Sequence, residues 1–290
     1  MMNELVMTPL APMTLDPRQY IQKNRRGKIK VAAKSRSSNA IRMTMLVLLL
    51  LTVCAFFSFD YKNIQFAEAV VATGRNVKVL FGQPRLTYNS FWGAMHALLV
   101  TFSLGVLSTI IGAVIALFGA LFCAKNIAHP AVANGIKGIV AFIRAVPTIL
   151  WVLIFTVAAG LGSVAAVLGL TFHSVAYLVK AYSESIEEMD AGTIEALKAS
   201  GSGFWQIVFQ AILPSSASYM TAWTFLRFEI NFTNAIAIGA AAGAGGIGYD
   251  LFMAGSFYFD LRELGFITYI VVIAVILLEM VATRVKATVR

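Results

Sequence analysis

From Phe91 to Cys123 the chain carries no Asp, Glu, Lys or Arg. Such a stretch exceeds the ~20 residues that take a helix across the hydrocarbon core of a bilayer. Other apolar runs lie at Met43–Phe59, about Ala145–Ala159, Ser163–Tyr182, about Ser215–Ala242 and Leu264–Ala282. They are continuous, whereas barrel strands would alternate apolar and polar residues. Composition agrees: 59% of residues are hydrophobic and 13% charged, about half the charged share of a soluble domain. The expected fold is an all-α membrane protein of about six transmembrane helices. Residues 1–42 form a basic arm, 43–59 the first transmembrane helix, 60–90 an outer loop and 91–290 the core.

The net charge of +9 is concentrated in that arm, which holds nine Lys/Arg against two acids. Lys23, Arg25, Arg26, Lys28, Lys30, Lys34 and Arg36 form its centre. Beside a membrane core this composition argues against nucleic-acid binding. The charged region is too long for a signal peptide, and no small-residue cleavage pattern follows the first apolar run. The arm reads as a solvated cytoplasmic segment that fixes topology and touches anionic membrane lipid. Segments 1–42, 124–144, 180–214 and 284–290 hold 17 Lys/Arg, against 5 in 60–90 and 244–263. Both termini are therefore expected in the cytoplasm. Cys54 and Cys123 lie in apolar runs without metal-ligand spacing and read as buried, inert thiols. No catalytic constellation and no metal site is expected.

The most polar internal stretch precedes the fifth run. Asp190 or Thr193 can cap a short helix ending near residue 200. Gly201 permits a left-handed turn, and Ser202 can cap a second helix. On that helix Phe204, Ile207, Val208, Ala211 and Ile212 follow helical amphipathic spacing, with Trp205 and Phe209 on a neighbouring face. Pro214 breaks this helix or begins the next. The physics alone leaves an amphipathic loop resting on the membrane.

The same stretch resembles the EAA loop of ATP-binding-cassette (ABC) importer permeases: E-A-A, three residues, G, nine residues, I-x-L-P. Glu195, Ala196, Gly201, Leu213 and Pro214 stand in register, while Leu197 and Ala211 depart from the pattern. The resemblance implies a coupling loop, at about 187–214, seated on a separate ATPase subunit. No G-x-x-x-x-G-K-[ST] occurs, so ATP is expected on that partner and no cofactor on this chain.

Arg227, Asn231 and Asn234 fall within about 60° on the fifth run, with Thr224 at the flank, while Glu229 points about 200° from Arg227. Ionisable groups at membrane depth rarely face lipid. Two readings stand: a passage for an oxyanion held by the guanidinium, or a structural ion pair of Arg227 with Glu184 or with a second subunit. His173 lies inside the fourth run, where a lone histidine is more often a hydrogen-bonded packing group than a ligand. Arg144 is expected at the inner interface. Gly243, Gly245, Gly246 and Gly248 match G-x-G-x-x-G literally, but a membrane helix precedes them rather than a strand. Close packing or a re-entrant turn fits better than a dinucleotide site.

Ile143-Arg144-Ala145-Val146-Pro147, Gly160-Leu161-Gly162, Phe172-His173-Ser174, Ser185-Ile186-Glu187, Arg227-Phe228-Glu229-Ile230-Asn231 and Gly243–Gly248 together resemble the phosphonate-type permease family (PhnE). This likeness covers about residues 90–285. It implies the MetI-like permease fold in a bacterial cell membrane and uptake of phosphonate, phosphite or a related oxyanion. The implied partners are an extracytoplasmic substrate-binding protein, the ABC ATPase and a second permease copy. Where that family reads V-R-x-A after the asparagine, this chain has Phe232-Thr233-Asn234-Ala235 and so lacks one positive charge. A permease for another small solute, or a channel or secondary transporter working alone, are the other readings.

Overall fold

The computed structural model describes residues 36–58 and 65–289, all helix, turn or loop. Most of the basic arm, including Lys23 to Lys34, lies outside the described residues. The chain divides into two compact units, residues 1–65 and 66–290.

The first unit contributes α1 (Arg36–Ser58). Its Asn39–Ser58 part has a mean hydropathy of 2.3 and is apolar on every side, as a lipid-facing span requires. Cys54 is exposed on it rather than buried.

The second unit holds α2 (Phe66–Gly82), α3 (Phe91–Cys123), α4 (Pro130–Ala145), α5 (Thr148–Ala159) and α6 (Ser163–Glu187). It continues through α7 (Ala191–Ala199), α8 (Phe204–Ile207), α9 (Leu213–Ala241), α10 (Gly246–Phe252) and α11 (Leu261–Val289). Among the described residues four helices are long and apolar enough to cross a membrane: α1, α3, α6 and α11. The count rises to six when two bent pairs each count as one span, α4 with α5 at 90° and the α8–α9 helix with α10 at 48°. The single apolar run from Ala145 is thus only the second limb of a broken helix. Pro147 has no N–H to continue α4, and the residue before a proline is steered out of the helical region. Val146 accordingly adopts an extended backbone. The segment 60–90, expected as a loop, carries the 17-residue α2. It packs on α11, where Gly265 lets the Leu80 carbonyl approach so closely that a Cβ would collide with it.

The centre is the α3–α6 pair, flanked by α9. Gly105, Gly112 and Gly119 recur every seventh residue of α3. A Cβ at Gly112 would stand 2.8 Å from the Ser174 Cβ, and one at Gly119 2.7 Å from a Val179 methyl. Small residues at this spacing allow close helix approach where lipid gives no hydrophobic drive to association. Ser90 begins α3 by accepting the Gly93 amide at 2.9 Å. At the α7–α8 end, Leu121, Leu178, Ile186, Ile194, Ile207 and Ile212 form one buried apolar cluster that fixes the helical hairpin to the bundle.

Candidate functional site

Arg227 on α9 is 1% exposed. Its Nε–H donates to Ser174 Oγ at 2.9 Å, and Nη2 lies 3.1 Å from His173 Nδ1. A guanidinium cannot accept, so His173 Nδ1 does, and the imidazole carries its proton on Nε2. Ser174 Oγ–H itself donates to the Leu170 carbonyl at 2.6 Å. Asn231, one turn beyond Arg227 and fully buried, donates to Ser174 Oγ and to Thr109 Oγ1, at 2.8 Å each. Thr109 Oγ1 in turn donates to the Gly105 carbonyl at 2.7 Å. Three helices thus meet in one hydrogen-bonded cluster, and the close approach at Gly112 is what brings Ser174 to α3.

Every protein partner of Arg227 is neutral, and no carboxylate pairs with it among the described residues. Glu184, one candidate counter-ion, binds Lys180 at 2.5 Å instead, and Glu187 binds Lys137 at 2.7 Å. Among the described residues Arg227 therefore forms no ion pair with Glu184. A guanidinium removed from water without a counter-charge is costly, on the order of several kcal/mol. Neutral hydrogen bonds and the Tyr177 ring, whose centroid lies 5.2 Å from the guanidinium carbon, offset part of this cost. Two of the five N–H groups have protein acceptors; the Nη1 pair has none among the described residues.

The other polar residues of the fifth run separate from this cluster. Thr224 bonds the Tyr182 hydroxyl at 2.5 Å. Asn234 is half-buried further along α9. Glu229 lines a different cavity of about 130 Å³, with Thr233 of α9 and Glu279 of α11. Helical spacing alone pointed to Arg227 and Asn231. Thr109, Ser174 and Tyr177 come from other helices, and hydroxyls inside apolar runs were their only sequence signal.

At the α7–α8 end, Asp190 caps α7 by accepting the Thr193 amide at 3.1 Å. Gly201, at φ +85°, ends that helix. Its amide reaches the Lys198 carbonyl and the Ser202 amide the Leu197 carbonyl, both at 3.0 Å, the paired closure of a Schellman motif. Ser202 Oγ lies 3.3 Å from Ser200 Oγ and does not cap the second helix. Gly203 takes that position and donates to Gln206 Oε1 at 2.7 Å. A π turn over Val208–Ile212 joins α8 to α9, so the helix continues through Pro214 instead of breaking. The wider turn accommodates a residue that offers no amide. Ala211 is buried, Leu213 half-buried and Pro214 exposed. Glu195 and Ala196 face outward, as do Trp205 at 51% and Phe209 at 64% exposure.

At the opposite end, Gly243, Gly245 and Gly246 all have positive φ and turn the chain from α9 into α10. A Cβ at Gly246 would collide with Thr101 Oγ1, and one at Gly248 with the Ile236 carbonyl. Ile247 donates its amide to Thr101 Oγ1 at 2.9 Å. Close backbone packing accounts for these glycines.

A charge sunk among neutral partners, inside a bundle whose outer faces are apolar, is the build of a helical membrane protein. The chain belongs to the family described as binding-protein-dependent transport system inner membrane component, which matches residues 116–289, more than half of its length. It is 33% identical over 153 residues to a phosphate-import permease protein, PhnE, of Mycolicibacterium smegmatis, covering 52% of this chain and 29% of that protein. It is 32% identical over 165 residues to the phosphite transport system permease protein PtxC of Stutzerimonas stutzeri, covering 57% and 60% respectively. The chain thus spans less than two thirds of either relative. Its fold is similar to that of a methionine ABC transporter, MetNI, solved in inward-facing conformations: TM-score 0.64, 22% identity, 71% of this chain and 100% of that one.

Proposed function

We propose that this chain is the membrane-spanning permease of an ABC importer that moves phosphonate, phosphite or a related phosphorus oxyanion. The observation that carries the reading is Arg227, a buried guanidinium with neutral partners and a pair of N–H groups that has no acceptor among the described residues. A tetrahedral oxyanion supplies the missing charge and matches the planar donor fork. Relatives named for phosphate and phosphite transport support that substrate class.

In this reading the α7–α8 hairpin faces the cytoplasm, in keeping with the excess of Lys and Arg in the segments assigned to that side. Its exposed Trp205 and Phe209 meet a separate ATPase, which supplies ATP hydrolysis. An extracytoplasmic binding protein delivers the solute at the opposite end, and a second copy of the chain completes the pathway. This chain performs no covalent chemistry.

The test is uptake of labelled methylphosphonate by cells with and without the gene, with phosphite and phosphate as competitors. Gene-dependent uptake that phosphite suppresses is the expected result. Equal uptake in both strains, with the ATPase still co-purifying, would overturn the substrate and leave the permease.

A further inference from the structure

Arg144 closes α4 just before the 90° bend. The bend is held by Trp151, whose Nε1–H donates to the Ile143 carbonyl at 2.9 Å. The Arg144 guanidinium carbon lies 5.8 Å from the centre of the Tyr177 ring, the same ring that Arg227 approaches to 5.2 Å. Two cations therefore share one aromatic side chain, and neither has a carboxylate partner among the described residues. The nearby acids are committed: Glu184 to Lys180, and Glu187 to Lys137 and the Lys125 amide.

The two arginines differ in access. Arg227 is buried, whereas Arg144 is exposed and lines a cleft of about 170 Å³ with Lys137, Lys180, Glu184 and Glu187. Along α6 the order is His173, then Tyr177 one turn on, then Lys180 and Glu184, leading from the buried cluster toward the α7–α8 end. An aromatic ring attracts a guanidinium while leaving its N–H edges available to oxygen acceptors. Two like charges at one ring repel each other, and an anion bridging them removes that repulsion.

We propose that Arg144 is a second anion-holding residue of the pathway, receiving a phosphorus oxyanion from Arg227 across Tyr177 and releasing it into the cleft at the α7–α8 end. This rests on the oxyanion reading above. A phosphorus oxyanion offers three oxygens to a donor fork, and both forks lie beside the one Tyr177 ring, so the handover from Arg227 to Arg144 runs along that ring. No bond is made or broken.

The test uses the complete transporter, permease with its ATPase and its solute-binding protein, in proteoliposomes, with methylphosphonate as the probe. Arg144→Gln should lower uptake at least tenfold while the ATPase still co-purifies, and Arg144→Lys should recover part of it. On the unmutated complex, phenylglyoxal modification is mapped by mass spectrometry. Methylphosphonate should slow labelling of Arg144 several-fold, and chloride at equal ionic strength should not. Should Arg144→Gln fail to insert, the labelling result decides. Unprotected Arg144 in a complex that transports methylphosphonate would overturn the proposal and leave the function intact. A complex that transports no phosphorus oxyanion, yet whose Arg144 is protected by sulfate, would overturn the substrate and support the arginine as an anion site.

Discussion

Glu263 receives the backbone amide of Asn89 on one carboxylate oxygen at 2.9 Å, and its other oxygen takes the Tyr88 amide at the same distance. The carboxylate is 2% exposed and ties the start of α11 to the turn that leads into α3. Replacing it by alanine strands two amides, and leaving buried donors unsatisfied costs about 1–3 kcal/mol each. Glu263→Ala should lower the temperature at which the detergent-solubilised protein loses its monodisperse elution. Glu263→Gln, which keeps one acceptor, should lie between. An unchanged transition in both would show that the clamp adds nothing.

Asn231 and Arg227 share Ser174 Oγ, so a carboxylate at position 231 would sit beside the guanidinium as a permanent counter-ion. Asn231→Asp should insert normally, bind the ATPase and lose methylphosphonate uptake by more than tenfold. Asn231→Leu leaves Ser174 and Thr109 short of a donor and should lower stability as well. Full uptake by the aspartate variant would place the transported anion elsewhere.

A buried and an exposed helical glycine should respond oppositely to one methyl group. Gly112→Ala pushes a Cβ to 2.8 Å from the Ser174 Cβ, so α3 and α6 must part. Gly135 on α4 has nothing within 4 Å of the added atom, so alanine there should stabilise by about 0.5–1 kcal/mol through helix propensity. Heat-challenge survival in detergent compares them, and equal losses in both would count against the close contact.

Gly201 has open space around an added Cβ, but its φ of +85° is strained for any L side chain. Gly201→Ala should cost about 1–2 kcal/mol locally and weaken ATPase co-purification. Gly201→Trp should abolish it without affecting membrane insertion. Co-purification at the unmutated level in the tryptophan variant would remove the hairpin from the ATPase contact.

Asp260 begins α11, where its Oδ1 accepts the Arg262 amide at 2.9 Å and the Glu263 amide at 3.2 Å. Burial pushes its carboxyl up, but the Thr87 hydroxyl, these two amides and the Arg262 charge together hold it below the ordinary carboxylate range. A depressed folded-state pKa contributes stability above the unfolded value of about 3.9, and that contribution is lost as pH falls through the folded pKa. Asp260→Ala should therefore cost about 1 kcal/mol at neutral pH, as loss of a helix cap does, and the gap to the unmutated protein should close below about pH 4. A pH-independent gap would assign the effect to packing.

What could be read from the sequence follows the reach of local rules. The Phe91–Cys123 helix matches its apolar run residue for residue, because an uninterrupted hydrophobic stretch leaves helix as the only way to satisfy the backbone in lipid. The α7–Gly201–α8 hairpin was legible through its cap and its glycine, though the second cap falls one residue later than expected, at Gly203. Helix α2 was missed because Glu68, Arg75 and Lys78 interrupt FAEAVVATGRNVKVLFG, so that it reads as a polar segment between apolar runs, and its partner, Gly265, lies far along the chain. The polar cluster was half visible: one helix period relates Arg227 to Asn231, but only packing relates them to Thr109, Ser174 and Tyr177.

The helix that starts at Phe204 runs through the π turn and Pro214 to Ala241 without a hinge large enough to divide it. At 1.5 Å per residue, Arg227 rides ~35 Å from the foot of that rod. A rocking of about 5° at the foot sweeps the guanidinium through ~3 Å, roughly the whole length of a hydrogen bond. A small stroke at the foot would thus be geared up into a complete change of hydrogen-bond partners at Arg227, with a mechanical advantage set by its position along α9.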